Sequence, residues 1–257
     1  MIDQLWLIVL GFAAGVLGSM IGLGGGIIVV PVLTFFGYSP TLAASSSLLA
    51  AFSNAVASTA SYSRQKRIEF PLGLKLGLLT VPGTVLGAYV SSDIAPQIFK
   101  ILFGFVLIAS AIYIFLRKKI ENKKLNLSKQ MMVFAIGASF FAGIISAFFG
   151  IGGGIIFVPL MVVGMGMAMK KAAPTSQLIL LFASFSGVIV HTILGHSDFL
   201  VAGLLAIGSF VGGLVGARLS VEIKEKFLQI IVSIVIIVAA IKMFVDSLSG
   251  NLPLVNP

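Results

Sequence analysis

Gly22-Leu23-Gly24-Gly25-Gly26-Ile27-Ile28-Val29-Val30-Pro31 returns almost unchanged later in the same chain. The second copy is Gly150-Ile151-Gly152-Gly153-Gly154-Ile155-Ile156-Phe157-Val158-Pro159, identical at eight of ten positions. Because the interval from Gly22 to Gly150 is about half the length of the chain, it indicates two copies of one structural unit. Each unit contains a glycine cluster, a short apolar run and a proline.

The composition is that of a membrane protein. Apolar residues make up 58% of the chain, charged residues only 10%, and the mean hydropathy is +1.14. Several runs approach or exceed the roughly 18–20 apolar residues that span a bilayer. These properties exclude a water-facing globular domain and predict an all-α polytopic membrane protein. The chain has no cysteine, which excludes disulfides and cysteine metal sites.

The duplication extends over nearly the whole chain. The shift that takes Ser47 to Ser176 also aligns Ala43-Ala44 with Ala172-Ala173, Glu69-Phe70 with Asp198-Phe199, and Gly87-Ala88 with Gly216-Ala217. Apolar runs predict five segments in each half. They are 5–21, 27–36, 43–62, 70–90 and 97–116, then 131–149, 155–167, 174–192, 200–219 and 227–245.

The cations predict the orientation of these segments. Basic residues cluster at 64–67, 117–129, 170–171 and 218–226, between apolar runs, as in cytoplasmic loops. The loop 191–197, which is the repeat partner of a basic loop, has no lysine or arginine. We therefore expect inverted repeats over 1–116 and 131–257, joined by a cytoplasmic linker over 117–130. Both termini are then external, and the net charge of +9 indicates positive-inside loops rather than nucleic-acid binding.

In this prediction each repeat is a glycine-broken, re-entrant-like helical hairpin followed by three transmembrane helices. Inverted repeats are typical of secondary transporters, whose substrates bind near the midplane at discontinuous helices. Glycines allow close backbone approach, and free N–H groups at a helix N-terminus attract anions. The alternative is that the glycines only serve helix packing. The pair of breaks in opposed halves favours a site, since broken backbone at membrane depth lines a cavity or is buried in protein.

The doubled Gly-x-Gly-Gly-Gly…Val-Pro element, the following Ser46-Ser47-Leu48 and Thr175-Ser176 stretches, and the chain length resemble the TauE/SafE family. The resemblance covers the full chain. It implies a permease of the inner membrane that exports sulfite or an organosulfonate such as sulfoacetate. The second half departs from the first where Pro174 replaces Ser45 and Gln177 replaces Leu48. The two half-sites should therefore differ.

The candidate substrate-binding residues are the glycines and the polar residues that follow each cluster. We place these hydroxyl and amide side chains where the helix after each glycine hairpin begins, in the segments 43–62 and 174–192. Binding of sulfonate oxygens and helix capping or packing remain equally open for them. Asn54, a polar residue in an apolar span, is favoured as a ligand or helix-bridging residue. The full set is Gly24, Gly25, Gly26, Ser46, Ser47, Asn54, Gly152, Gly153, Gly154, Thr175, Ser176 and Gln177.

Other polar residues are better explained without a substrate. Glu69 and Asp198 precede helices, where a carboxylate stabilises the N-terminus, and this is favoured over a proton relay. His191 and His196 flank an external loop and are interpreted as solvated rather than as a metal or proton site. Lys75 and Arg218 lie near the cytoplasmic face, where snorkelling to lipid headgroups is the default role.

These patterns favour a secondary transporter that exports a small sulfur-containing anion and uses no cofactor or metal. An anion channel of the same architecture is the alternative, and the sequence separates the two poorly. An intramembrane enzyme is disfavoured because no nucleophile–base set is evident. A scaffold would not explain two broken helices. The expected partners are the anion and the bilayer, while the oligomeric state stays open, with a homodimer as one option.

Overall fold

The computed structural model describes residues 4–92, 94–116, 128–221, 234, 237–241 and 243–245. All regular structure within these residues is helical. The helices are α1 Trp6–Ile21, α2 Gly26–Phe35, α3 Pro40–Arg64, α4 Phe70–Ser92, α5 Pro96–Leu116, α6 Lys129–Phe149, α7 Gly154–Pro159 with a following π-helical turn Leu160–Gly164, α8 Met169–Ile193 and α9 Phe199–Leu219. Most of the predicted linker 117–130 and of the predicted last helix 227–245 lies outside the described residues.

Both glycine clusters interrupt a helix, as predicted. α1 ends where Gly22 takes a left-handed conformation and donates its N–H to the carbonyl of Gly18. Gly24 and Gly25 have φ values of +81° and +79°, which only glycine adopts without strain, and α2 begins at the next residue. Gly150, Gly152 and Gly153 repeat this pattern with φ values of +73°, +75° and +79°. The breaks therefore have the same backbone geometry.

The long helix that follows each glycine-broken hairpin begins earlier than predicted. α3 starts at Pro40, with the Ser39 hydroxyl accepting the N–H of Leu42, and α8 starts at Met169. Proline is favourable in the first turn of a helix, and a serine before it caps the free amides. The placement of the candidate serines at the helix starts was therefore wrong. They lie about two turns inside α3 and α8.

Each half packs mainly against the other half. On α1 and α9, the carbonyls of Ile8 and Val16 lie directly against Gly208 and Gly216, so these helices run parallel. On α6 and α4, the carbonyls of Phe140 and Ile144 lie against Gly83 and Gly87, again in parallel. Small residues allow such close approach between helices in lipid. The two helix pairs are equivalent in the repeat, and each pairs a helix of one half with a helix of the other.

The long helices α3 and α8 cross the centre of the molecule in opposite directions. The Ser45 hydroxyl donates to the carbonyl of His196 at 2.8 Å, near one end of the pair. At the other end, Arg67 Nε donates to the carbonyl of Lys170 at 2.9 Å. Early residues of α3 therefore meet the end of α8, and the loop after α3 meets the beginning of α8.

Four of the described helices are long and apolar enough to cross a bilayer: α4, α6, α8 and α9. α3 has 25 residues but is rich in serine, and it buries Ser45, Ser46 and Ser47 inside the bundle. Large apolar side chains such as Phe105, Phe141 and Phe199 are exposed on the outside. This distribution is that of a multi-pass membrane protein, with its small polar groups inward and its large apolar groups toward lipid.

Candidate functional site: the crossing of two glycine elements

Glycine element 1 (Gly22–Gly26) and glycine element 2 (Gly150–Gly154) cross each other in the centre of the molecule. A side chain at Gly26 would collide with the carbonyl oxygen of Gly150, and one at Gly154 would collide with the carbonyl oxygen of Gly22. The contact is thus backbone on backbone and reciprocal. Glycine is required at both positions because any Cβ would separate the two elements.

Two repeat-equivalent serines hold this crossing in place. Ser47 of α3 donates its hydroxyl to the carbonyl of Gly150 at 2.8 Å, and Ser176 of α8 donates to the carbonyl of Gly22 at 2.7 Å. Both serines are fully buried. Since each serine binds the glycine element of the other half, the two hydroxyls position the breaks as well as lining them.

Gln177 brings an unpaired acceptor to glycine element 1. Its Nε2 donates to the carbonyl of Gly18 at 2.9 Å, which also receives the N–H groups of Gly22 and Leu23. The Oε1 atom is buried and has no hydrogen-bond partner among the described residues. Leu48 occupies the equivalent position in the first half. The two halves therefore differ chemically at this position.

The two hydroxyls beside Ser47 and Ser176 have different environments. Ser46 is fully buried, and within the described residues its hydroxyl has no partner. The Thr175 hydroxyl, at the equivalent position, accepts the N–H of Glu69 at 3.0 Å. An unsatisfied buried hydroxyl costs about 1–3 kcal/mol and requires an explanation. Ser46 is therefore the freer of the two to meet a ligand.

The helices that leave the crossing present their N-terminal amides to it. The first backbone bonds of α2 are donated by Ile28 and Val29 to the carbonyl of Gly25. Those of α7 are donated by Ile156 and Phe157 to the carbonyl of Gly153. The amides that precede them have no acceptor within their own helix, and the helix dipole gives this end a partial positive charge.

Leu180 fills the space between the two glycine elements. Its Cδ2 methyl lies where a side chain at Gly24 would point, and 3.1 Å from the Cβ position of Gly152. The side chain is fully buried. The same space is bordered by the methyl group of Ala51, 3.7 Å from the Cβ position of Gly152. Apolar side chains from α8 and α3 thus fill the space between Gly24 and Gly152, beside the points where the two backbones touch.

Asn54 lies away from the crossing, about two turns beyond Ser47 on α3. It is fully buried against Gly213 of α9, and neither Oδ1 nor Nδ2 has a hydrogen-bond partner in the described part of the chain. Ser146, in the last turns of α6, also has a buried and unpaired hydroxyl. The sequence did not single out Ser146. Its equivalent in the first half is Gly18, so the serine is an addition specific to the second half.

The two carboxylates that precede α4 and α9 have structural partners. The Asp198 carboxylate accepts the N–H groups of Leu200 and Val201, so the predicted role at the start of α9 is confirmed. Glu69 forms an ion pair with Lys171 at the edge of α8. No cluster of three or more metal-ligating side chains occurs in the described residues.

The interpretation of both histidines as solvated was wrong for His191. This side chain is fully buried; its Nε2 lies 2.9 Å from the carbonyl of Ala147 on α6, and its Nδ1 lies 3.1 Å from Nδ1 of His196. Burial of His196 lowers the pKa of its imidazole. The apolar run around position 191 continues to the end of α8, and this was the signal in the sequence for burial.

The family model described as "Sulfite exporter TauE/SafE" matches residues 7–243. The probable membrane transporter protein YunE of Bacillus subtilis is 31% identical, covering 94% of this chain and 97% of its own. A probable membrane transporter protein of Methanocaldococcus jannaschii is 29% identical over 88% of this chain and 90% of its own. YfcA of Escherichia coli, also named a probable membrane transporter protein, is 27% identical over 96% of this chain and 93% of its own.

No solved structure gives a significant match to the chain. The family model nevertheless spans both glycine elements and the labelled helices from α1 to α9, and the similar proteins align over nearly their whole length. The chain therefore belongs to the TauE/SafE family.

Proposed function

We propose that the protein is a secondary transporter that exports a small sulfur-containing anion, sulfite or an organosulfonate such as sulfoacetate, across the inner membrane. The anion binds near the midplane, where the N-termini of α2 and α7 meet. The observation that carries the proposal is the reciprocal crossing of the two glycine elements in a member of the TauE/SafE family.

The directions of the helices support inverted repeats. α3 and its repeat equivalent α8 are antiparallel. α1 runs parallel to α9, and α6 runs parallel to α4. Equivalent helices of the two halves then point in opposite directions, with the basic loop 64–67 on one face and the cation-free loop 191–197 on the other. The positive-inside rule makes the first face cytoplasmic and both termini external.

The chemistry of the crossing suits a compact oxyanion. The first amides of α2 and α7 and the unpaired hydroxyl of Ser46 are available as donors, while the apolar packing removes competing water and so strengthens each hydrogen bond. No carboxylate lies at the crossing among the described residues, so an anion meets no like charge there. Gln177 Oε1 is an acceptor, and the S–O–H group of bisulfite offers the matching donor. Sulfite and bisulfite therefore fit the polarity of the two half-sites.

The membrane potential is sufficient to drive export. An anion that leaves a cell with a negative interior gains about 2.3 kcal/mol per charge per 100 mV. A carrier needs only to alternate access to the crossing for this gradient to act. Leu180, which fills the space between the elements, must then move when the anion enters.

The test is stabilisation of the purified protein by a panel of sulfite, sulfoacetate, sulfate, chloride and acetate. A specific ligand at one hundred times its Kd raises the free energy of unfolding by about 2.7 kcal/mol. We expect sulfite or sulfoacetate to stabilise and acetate to fail. Equal effects of all five anions would contradict a specific site.

Flux measurements separate the carrier from the channel of the same architecture. With the membrane potential held at zero, proteoliposomes loaded with unlabelled sulfite should accumulate labelled sulfite from outside by counterflow, and the initial rate should saturate. A channel gives no counterflow under this condition. Flux that rises linearly with concentration and without counterflow would replace the carrier with a channel.

A further inference from the structure

Tyr62 and His191 are equivalent in the repeat, and each is bonded to an equivalent carbonyl. The shift that relates Ser47 to Ser176 also relates Tyr62 to His191. The Tyr62 hydroxyl donates to the carbonyl of Ser19 at 2.9 Å, and His191 Nε2 lies 2.9 Å from the carbonyl of Ala147. Ser19 and Ala147 each stand three residues before the first glycine of their element. Both side chains therefore hold the helix end that leads into a glycine element.

The partners of these two residues are also equivalent. The Arg67 guanidinium lies over the Tyr62 ring, 5.1 Å from its centroid. His196 follows His191 at the same interval as Arg67 follows Tyr62, and it contacts His191 with a ring-centroid distance of 5.3 Å. The first half thus uses a tyrosine and an arginine, whereas the second half uses two histidines. Only the second pair consists of side chains whose ordinary pKa lies near neutral pH.

The hydrogen bonds assign the protons of the neutral pair. A carbonyl only accepts, so His191 donates through Nε2–H to Ala147, and its Nδ1 is then the acceptor of the Nδ1–H of His196. One further proton on the pair is shared between the two Nδ1 atoms, which lie 3.1 Å apart, and Nε2–H of His191 still donates to Ala147, so neither hydrogen bond is broken. The shared proton does, however, place a cation on a fully buried ring. Burial of this charge, rather than the loss of a hydrogen bond, disfavours the closed arrangement.

No free carboxylate in the described residues offsets such a charge. Asp198, in the same loop, is engaged by the amides of α9. Partial burial, and then the charge of Asp198, raise the pKa of Tyr38 in the loop before α3. α5 packs on the end of α6 through Phe99 and Phe148 and carries the buried cation Lys100. α4 contributes the exposed Tyr89, and α3 reaches the loop through the neutral Ser45.

We propose that His191 and His196 form a proton-binding latch on glycine element 2, closed while both rings are neutral and opened by one proton. Opening frees the carbonyl of Ala147 and so releases the end of α6 that leads into Gly150. Glycine element 1 has no such control, because tyrosine and arginine keep their protons throughout the physiological range. The proton is then the ion that governs movement of one half-site.

The sign of the pH dependence follows from burial. Because burial lowers the pKa of His196, the folded protein binds the proton less readily than the unfolded chain. The latch is therefore fully closed above the ordinary titration range of histidine and opens as the pH falls below it. Acid on the face of the 191–197 loop should loosen glycine element 2 and leave glycine element 1 unchanged.

The test uses the tag-free protein and the double variant His191→Tyr/His196→Arg, which copies the pair of the first half. The chain has only two histidines, so their imidazole NMR signals are unambiguous. Between pH 8 and pH 4 we expect both signals to shift with one common midpoint. Hydrogen exchange of residues 147–156, corrected for intrinsic rates and compared with that of residues 19–28, should become faster as the pH falls, because protonation favours the open latch. The double variant should show no acceleration.

The reverse variant, Tyr62→His/Arg67→His, should transfer acid-accelerated exchange to residues 19–28. Independent titration of the two wild-type histidines, or exchange at 147–156 that ignores pH, would overturn the latch. So would a double variant that keeps the acceleration. These readouts require no transported anion, so the latch and the sulfur-anion proposal can fail separately.

Discussion

Leu180 of α8 and Ala51 of α3 are repeat-equivalent residues that border the same space with side chains of different size. The leucine methyl reaches both Gly24 and Gly152, whereas the alanine methyl borders only Gly152. The two halves therefore contribute unequally to this space. The size of the Leu180 side chain determines how much of the space between Gly24 and Gly152 is left.

We expect Leu180→Ala to widen the range of transported anions. A change of a few methylene groups in a site is worth about tenfold or more in discrimination. The flux of a longer alkyl sulfonate relative to sulfite should therefore rise about tenfold in proteoliposomes. Leu205→Ala is the matched control, since Leu205 is also fully buried but lies on α9 against Gly11. Both changes should destabilise the protein by about 2–5 kcal/mol, and an equal shift in selectivity would remove Leu180 from the site.

Ser47→Ala and Ser176→Ala should have similar effects, because their hydroxyls make equivalent bonds to Gly150 and Gly22. Each hydroxyl proton is already donated to a carbonyl, so its removal should loosen the crossing and thereby weaken anion binding by about 1 kcal/mol, the usual net value of one such hydrogen bond. Titration of the purified variants with sulfite measures this loss. Ser53→Ala removes a 2.8 Å bond to the carbonyl of Ala206 on α9 and serves as the control. If Ser53→Ala weakens binding as much, the serines only support packing.

Alanine variants at three glycines distinguish the cost of backbone strain from the cost of steric crowding. Gly25→Ala introduces both, since Gly25 has φ +79° and a Cβ there would lie 2.7 Å from the carbonyl oxygen of Ala14. Gly195→Ala introduces strain alone, because φ is +75° and the space is open. Gly203→Ala introduces neither and should stabilise α9 by up to about 1 kcal/mol. Thermal unfolding should rank stability as Gly203→Ala, then Gly195→Ala, then Gly25→Ala, and another order would contradict this account of the break.

The inverted topology predicts that residues 121 and 197 lie on opposite sides of the membrane. The chain has no native cysteine, so Glu121→Cys and Ser197→Cys each give a single thiol. An impermeant maleimide added to intact cells should label position 197 and reach position 121 only after lysis. Labelling of both positions from outside would end the inverted-repeat proposal and the midplane site with it.

The sequence was most informative where one residue type determines the backbone. The breaks at Gly22–Gly26 and Gly150–Gly154 followed from the repeat, because positive φ and close approach both require glycine. The reciprocal crossing did not follow, since the chain has 29 glycines and any of them can support close helix contact in lipid. Which helix faces which depends on whole surfaces rather than on single residues.

The role of His191 could not be predicted from the sequence for a different reason. The repeat shift already aligned Tyr62 with His191, but the two side chains share no chemistry that a sequence pattern records. Their common role is geometric, since each reaches the carbonyl that precedes a glycine element. Only the folded structure brings each side chain within 2.9 Å of that carbonyl.

The exchange of contacts between the halves has a consequence for biosynthesis. α1 rests on α9, and α4 rests on α6, so residues 1–116 are synthesised before their main packing partners exist. The glycine faces and serines of these helices therefore remain uncovered, in lipid or against an insertion factor, until α9 has entered the membrane. Assembly of the two halves is therefore a late event, and a ribosome that stops after α5 leaves a fragment whose helices contact one another but lack their main packing partners.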